Sequence, residues 1–190
     1  MRSELLAAAT RLLERDGRDA VLTLRAVARE AGVAAPSVYP HFADLDELVV
    51  ALITAHLADL GSAVRRAAQR AGDDPVERAR AAAHAYVRWG LRHPGPYTVV
   101  FEGRALRQLT QRQEREMTTD GGLMDSVVEL AAALPAPVDR PALEPELSAV
   151  ALWTALHGVV ALRLSKPAFA WPSLRRHVDA VLVGHVPPAP

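Results

Sequence analysis

Leu22-Thr23-Leu24-Arg25-Ala26-Val27-Ala28-Arg29-Glu30-Ala31-Gly32-Val33, followed by Val38-Tyr39-Pro40-His41-Phe42 and then Leu48, is the stretch whose reading decides the fold. Leu24, Val27, Ala28 and Ala31 recur at helical spacing, so a short helix opens at Thr23 with those four facing inward. Gly32 ends it, since glycine reaches the positive φ such a turn favours. A third short helix starts near Pro36, a residue suited to the first helical position. Val33, Val38 and Phe42 are its inward residues. Upstream, Leu5, Leu6, Ala9, Leu12 and Leu13 form one apolar face, opened by Ser3 as N-cap and closed by Gly17. Two short helices joined by a glycine turn and packed on a third make the helix-turn-helix layout. An ordinary helical hairpin in a core is the competing reading of that topology.

The rest of the chain has the same period. Asp44-Leu45-Asp46-Glu47 resembles a capping box and starts a long helix through Leu48, Leu52, His56, Leu60 and Val64 to Gly72. Asp74-Pro75-Val76-Glu77 is a second cap, and its helix runs to about His93. His93-Pro94-Gly95-Pro96 reads as a rigid break before a short aromatic element with Tyr97 and Phe101. A polar stretch from Arg104 to Asp120 precedes Gly121-Gly122, a kink or loop in the next long helix, and Leu134 to Pro145 reads as a linker. Two more helices follow, roughly Glu146 to Leu164 and Ser173 to Gly184. Alternating β-branched segments with hairpin turns are absent, so the fold is all-α, with about nine helices. Residues 1–48 form the head domain and 49–190 a second helical domain.

The 190 residues are long enough to bury a substantial core, half of them are apolar, and there is no cysteine. A reducing cytosol fits that composition. No signal-like segment or membrane-length apolar run is expected, so no membrane is involved and the location is cytoplasmic. Charge is balanced at 22 cations and 22 acids. In the head, six arginines (Arg2, Arg11, Arg15, Arg18, Arg25, Arg29) face eight acids (Glu4, Glu14, Asp16, Asp19, Glu30, Asp44, Asp46, Glu47), about −2 in all. Bulk electrostatics therefore argues mildly against nucleic acid, and that function must rest on the motif. On the motif, Ala34, Ala35, Pro36, Ser37, Tyr39 and His41 are candidates to face a major groove. Thr23 and Arg25 can reach phosphates.

These residues resemble the signature of the tetracycline-repressor (TetR) family of bacterial regulators, over the whole head and with Tyr-x-His-Phe at the right distance from Ala-Gly-Val. The resemblance implies an all-α homodimer, each subunit with a DNA-binding head and a helical domain for a small effector. It also implies that Thr23, Tyr39 and His41 touch the DNA backbone while the residues before Tyr39 read bases. Two departures stand out. Leu45 replaces a lysine common in relatives, which removes a phosphate contact. Pro40 costs the third helix a backbone hydrogen bond. With little polar reach in Ala34, Ala35 and Pro36, Ser37, Arg25 and DNA shape carry more of the specificity, and operator affinity is modest and steeply salt-dependent.

In the second domain, Trp153-Thr-Ala-Leu-His157-Gly158 sets Trp and His at i and i+4. With His93-Pro94-Gly95-Pro96-Tyr97 it resembles the subgroup named for a Trp-His-Gly motif. Trp89, Tyr97, Phe101, Trp153 and His157 are candidates to line a pocket for a small apolar effector, with core packing as the alternative. Ala151, Ala155, Gly158 and Ala161 allow close backbone approach, and Val178, Val181 and Leu182 supply larger knobs. They suit a four-helix dimer interface first, with an intramolecular core as the alternative. A dimer would read a palindromic operator.

No catalytic residue, metal site or cofactor is expected. Seven histidines occur, but His-Glu-x-x-His and Glu-x-x-His pairs are absent. The expected function is a repressor released from its operator by an effector bound near Trp89, Phe101 and Trp153, which tilts the long fourth helix. The alternatives are an all-α interaction protein that kept the head without DNA binding, or a helical enzyme.

Overall fold

The computed structural model describes residues 1–17, 22–101, 127, 128, 131 and 144–183. Their regular structure is all helical: α1 (Arg2–Asp16), α2 (Leu24–Ala31), a 3-10 turn (Ala35–Val38), α3 (Leu45–Arg70), α4 (Pro75–Arg92), α5 (Pro94–Phe101), α6 (Pro145–Ser165) and α7 (Leu174–Val183). Against the nine helices expected, the described residues hold seven α-helices and the 3-10 turn. The stretch from 104 to 120, the glycine pair at 121–122 and the linker from 134 to 143 lie outside them.

The chain divides into two compact units, and α3 contributes to both. The first comprises Met1–Ala58 with the described residues from His93 onward, and the second Asp59–Arg92 with those from 127 onward. In the first unit Leu5, Ala8, Ala9, Leu12 and Leu13 of α1 meet Val27 and Ala28 of α2, Val38, Phe42, and Leu48 and Leu52 of α3. Each large side chain fully buried there contributes about 1.5–3 kcal/mol relative to exposure. α1 starts one residue before the expected Ser3 cap, with Met1 at the capping position and no side-chain cap bond.

Asp44 and Asp74 cap α3 and α4 as expected, but the reciprocal acid bond forms only at α3, to Ala43, while Glu77 pairs with Arg80. Glu47 N–H donates to Asp44 Oδ1 at 2.8 Å, while Ala43 N–H donates to Glu47 Oε2 at 2.8 Å. Val76 N–H donates to Asp74 Oδ1 at 2.9 Å. The expected break at His93-Pro94-Gly95-Pro96 falls at His93, between α4 and α5, and Pro94-Gly95-Pro96 forms the first turn of α5. Proline is tolerated there because the first N–H groups of a helix have no intrahelical acceptor, and the first bond runs from Tyr97 N–H to His93 C=O at 2.8 Å. Gly95 lets α5 approach α1 closely: a Cβ on it would fall on the carbonyl of Leu13 and lie 2.9 Å from that of Gly17. His93 Nδ1 sits 3.2 Å from Glu14 Oε1 of the same α1. Tyr97 is fully buried, its ring 4.7 Å from that of Phe101.

In the second unit α4, α6 and α7 pack on one another. Ala79, Ala82, Ala83, Tyr86 and Val87 of α4 are buried, as are Leu152, Leu156, Val159 and Val160 of α6. Val178 and Leu182 of α7 are buried too, so these two serve the subunit's own core, a correction to their assignment as interface knobs. Asp179 adds a polar tie to α4, with Oδ1 2.9 Å from His84 Nε2 and 3.3 Å from Arg80 Nη1. The hydrogen bond with His84, and then the charges of His84 and Arg80, hold its carboxyl below the usual range. α3 and α6 are long and apolar enough to cross a membrane, contrary to the expectation of no such run. Both direct part of that apolar surface into these cores.

Candidate nucleic-acid interface and ligand cavity

Thr23 caps α2, its hydroxyl accepting from Ala26 N–H at 3.0 Å. The helix ends in a Schellman motif. Gly32 is left-handed at φ 71°, its N–H donates to Arg29 C=O at 3.2 Å, and Val33 N–H donates to Ala28 C=O at 3.0 Å. Val33 packs against the core beside it. After this turn the expected third helix is a single 3-10 turn. Ser37 N–H reaches Ala34 C=O, and His41 and Phe42 N–H both reach Val38 C=O, at 2.9–3.0 Å. Pro40 explains the brevity, because it has no N–H to give and its ring crowds the carbonyl four residues earlier.

Val38 and Phe42 anchor the segment from beneath, both at zero exposure. The guanidinium of Arg2 lies 4.4 Å from the centre of the Phe42 ring and its Nη2 3.8 Å from Glu47. Above these anchors the structure exposes Thr23, Arg25, Ala34, Pro36, Ser37 and Tyr39, and leaves Ala35 and His41 half-buried. Tyr39 is 57% exposed, unusual for an aromatic side chain with nothing packed over it. All eight sequence-derived residues thus lie within α2's first turn and the segment after Gly32.

The head's charges are not equally available. Arg11 Nε and Arg15 Nη1 each lie 3.0 Å from a different oxygen of Glu30, and Arg15 Nε lies 2.8 Å from Asp16. Hydrogen bonds from Arg11 and Arg15 hold the Glu30 carboxyl below its usual range. Arg25 and Arg29 are exposed on α2 and have no ion pair among the described residues. A net charge for the head hides this division, because Arg11 and Arg15 are committed while Arg25 and Arg29 are exposed.

The second unit contains a small apolar cavity that opens to solvent. Its walls are Val64 of α3, Ala79, Ala82, Ala83 and Tyr86 of α4, Leu152, Trp153 and Leu156 of α6, and Val127 and Ala131. No charged side chain of the described residues lines it. Trp153 Nε1 donates to the Tyr86 hydroxyl at 3.1 Å. Three alanines within five residues of α4 leave the space that larger side chains would fill, and that run was the sequence signal for Tyr86's wall.

Of the five residues expected at an effector site, Trp153 lines this cavity. His157 is half-buried, its ring 6.2 Å from that of Trp153. Trp89, also in the second unit, is buried and donates from Nε1 to Asp59 at 2.7 Å. Tyr97 and Phe101 belong to the first unit. On α6, Ala151, Ala155, Gly158 and Ala161 are half-buried and follow one helical stripe with the exposed Leu147, Val150 and Leu162. A Cβ on Gly158 would meet nothing within 4 Å. Val181 of α7 is half-buried.

Comparison with known proteins agrees with this geometry. Residues 5–52 match the family model described as bacterial regulatory proteins of the tetR family. Residues 79–183 match that of the tetracyclin repressor-like C-terminal domain. Among solved structures, a protein of unknown function from Rhodococcus sp. RHA1 is 27% identical, with a TM-score of 0.75 over 97% of this chain and 94% of its own. The fatty acid degradation regulator FadR of Bacillus halodurans shares the fold at 16% identity, with a TM-score of 0.71 over 95% and 91% of the two chains. The TetR-family transcriptional regulator PfmR of Thermus thermophilus does so at 18%, with a TM-score of 0.64 over 96% and 95%. With the glycine turn, the buried Val38 and Phe42 and both family models in agreement, the chain belongs to the TetR family of bacterial transcription regulators.

Proposed function

We propose that the protein is a cytoplasmic, homodimeric repressor that binds a palindromic operator through residues 1–48 and is released by a small apolar effector bound in residues 49–190. The observation that carries the DNA-binding half is the exposed set Thr23, Arg25, Ser37 and Tyr39, fixed over the fully buried Val38 and Phe42. The apolar lining supports an uncharged ligand, because an ionised group taken into such walls loses its hydration without a partner. Trp153 and Tyr86 anchor the effector reading, and Trp153 with His157 and Gly158 supports a place in the Trp-His-Gly subgroup. The α6 stripe of Ala151, Ala155, Gly158 and Ala161 supports the dimer contact, with Val181 at its side. Catalysis has no part in this reading.

Release follows from one helix. Val64 stands in the cavity wall, and Leu48 and Leu52 of the same α3 stand in the head's core. An effector that favours one setting of Val64 biases α3, and through it the head state that fits DNA poorly. Linkage is reciprocal, so operator DNA weakens effector binding by the same factor.

Selection from random duplex DNA at low salt tests the function. Enrichment of a palindrome with half-sites about 34–36 Å apart is expected. The head's net charge of about −2 favours a second reading, an interaction protein that kept the head without DNA binding. No enrichment establishes that reading and overturns the repressor.

A further inference from the structure

We infer that Arg29 is a phosphate-contacting residue, forming with Arg25 a two-guanidinium clamp on α2; this rests on the DNA-binding reading above. Among the described residues of the head, Arg2 faces Glu47, Arg11 and Arg15 are held by Glu30, and Arg15 also by Asp16. That leaves Arg25 and Arg29 exposed and unpaired. They stand at i and i+4 on the face of α2 away from the buried Val27 and Ala28. Like charges at that spacing destabilise a helix, and an anion between them relieves the repulsion.

Arg29 makes no ion pair or side-chain hydrogen bond among the described residues. It sits in the last turn of α2, where a cation can stabilise free carbonyls. Here the carbonyls of Ala28 and Arg29 are already taken by the N–H groups of Val33 and Gly32. The adjacent carboxylate, Glu30, is engaged on both oxygens by α1. The segment after the turn, Ala34 to Ser37, carries no charge, so among the described residues α2 is where the head offers unpaired cations to phosphate. The exposed Thr23 at the start of the same helix offers a further polar contact.

The test is the salt dependence of binding, measured by fluorescence anisotropy on a labelled random-sequence duplex from about 50 to 200 mM salt. Arg29→Ala should lower the slope of log Kobs against log salt by about 0.9 per bound head, about 2 for a dimer. Affinity at the upper end should fall roughly tenfold, equally for all sequences. Arg29→Lys should keep the slope, and Arg29→Gln should repeat the alanine result in a side chain of similar length. Arg11→Ala, which removes a committed cation, should leave the slope unchanged. A wild-type slope in both Arg29→Ala and Arg29→Gln overturns the clamp alone, as does an equal loss in Arg11→Ala. Wild-type protein that binds no duplex at low salt overturns the DNA-binding reading and the clamp with it.

Discussion

Gly95→Ala opposes two quantities that can be weighed in advance. Gly95 is the second residue of α5, with an ordinary negative-φ backbone, so alanine's helix preference alone would stabilise the protein by about 0.5–1 kcal/mol. The new methyl would coincide with the Leu13 carbonyl and approach that of Gly17 to 2.9 Å. Both are backbone atoms at the end of α1, and neither can rotate away as a side-chain tip would. Overpacking costs about 1–3 kcal/mol, and a clash with fixed backbone belongs at the upper end. The balance is a net loss of roughly 2 kcal/mol, or about 4–8 °C in the melting temperature of a chain this size. Thermal unfolding by circular dichroism reads the shift, and hydrogen exchange locates it. The Tyr97 N–H and the last turn of α1 should lose protection, since α5 must back away from Leu13. A variant melting at or above wild type with unchanged exchange would refute the close approach of α5 to α1.

Three further outcomes are expected. Gly158→Ala places a methyl where nothing lies within 4 Å, so the isolated subunit gains up to about 1 kcal/mol from helix propensity. If α6 is the dimer contact, sedimentation should show weaker dimerisation, and unchanged dimerisation would remove Gly158 from the contact. Ala82→Leu fills the cavity wall and should weaken binding of the neutral probe N-phenyl-1-naphthylamine at least tenfold, by fluorescence titration; undiminished binding would place the ligand elsewhere. Burial, and then the Arg163 guanidinium, lower the pKa of the His177 imidazole. The unfolded chain therefore binds a proton the folded chain refuses, and stability declines as pH falls through about 6.5, then levels off below the folded value. His177→Gln should flatten that decline in urea unfolding series, and an undiminished slope assigns it to another group.

What could be read from the sequence was local. The Asp44 and Asp74 caps and the Gly32 turn are set by residues within four positions of one another, and all three form where the sequence puts them, although Glu77 turns to Arg80 instead of closing the second box. The third helix failed at short range as well, because Pro36 was weighed as a helix starter while Pro40 shortened what it started. His93-Pro94-Gly95-Pro96 does end α4, but the break is a single residue, because the first turn of a helix accepts both prolines. The cavity was illegible for another reason. Its volume arises where Ala79, Ala82 and Ala83 meet Leu152 and Leu156 across about seventy positions, and periodicity does not say which faces will meet. The same blindness placed Val178 and Leu182 at a subunit interface, since an apolar stripe reads identically whether a neighbour or a second copy covers it. Charge misled by summation, as a net figure does not separate arginines tied to Glu30 from those left in water.

Glu30 has a consequence for life in a crowded genome. Every free guanidinium on a DNA-binding surface strengthens attachment to any duplex, and a chromosome offers on the order of 10⁶–10⁹ irrelevant positions. In the repressor proposed above, holding Arg11 and Arg15 on the head's own carboxylate would shorten its stay at each decoy, so that more copies would be in transit at any moment.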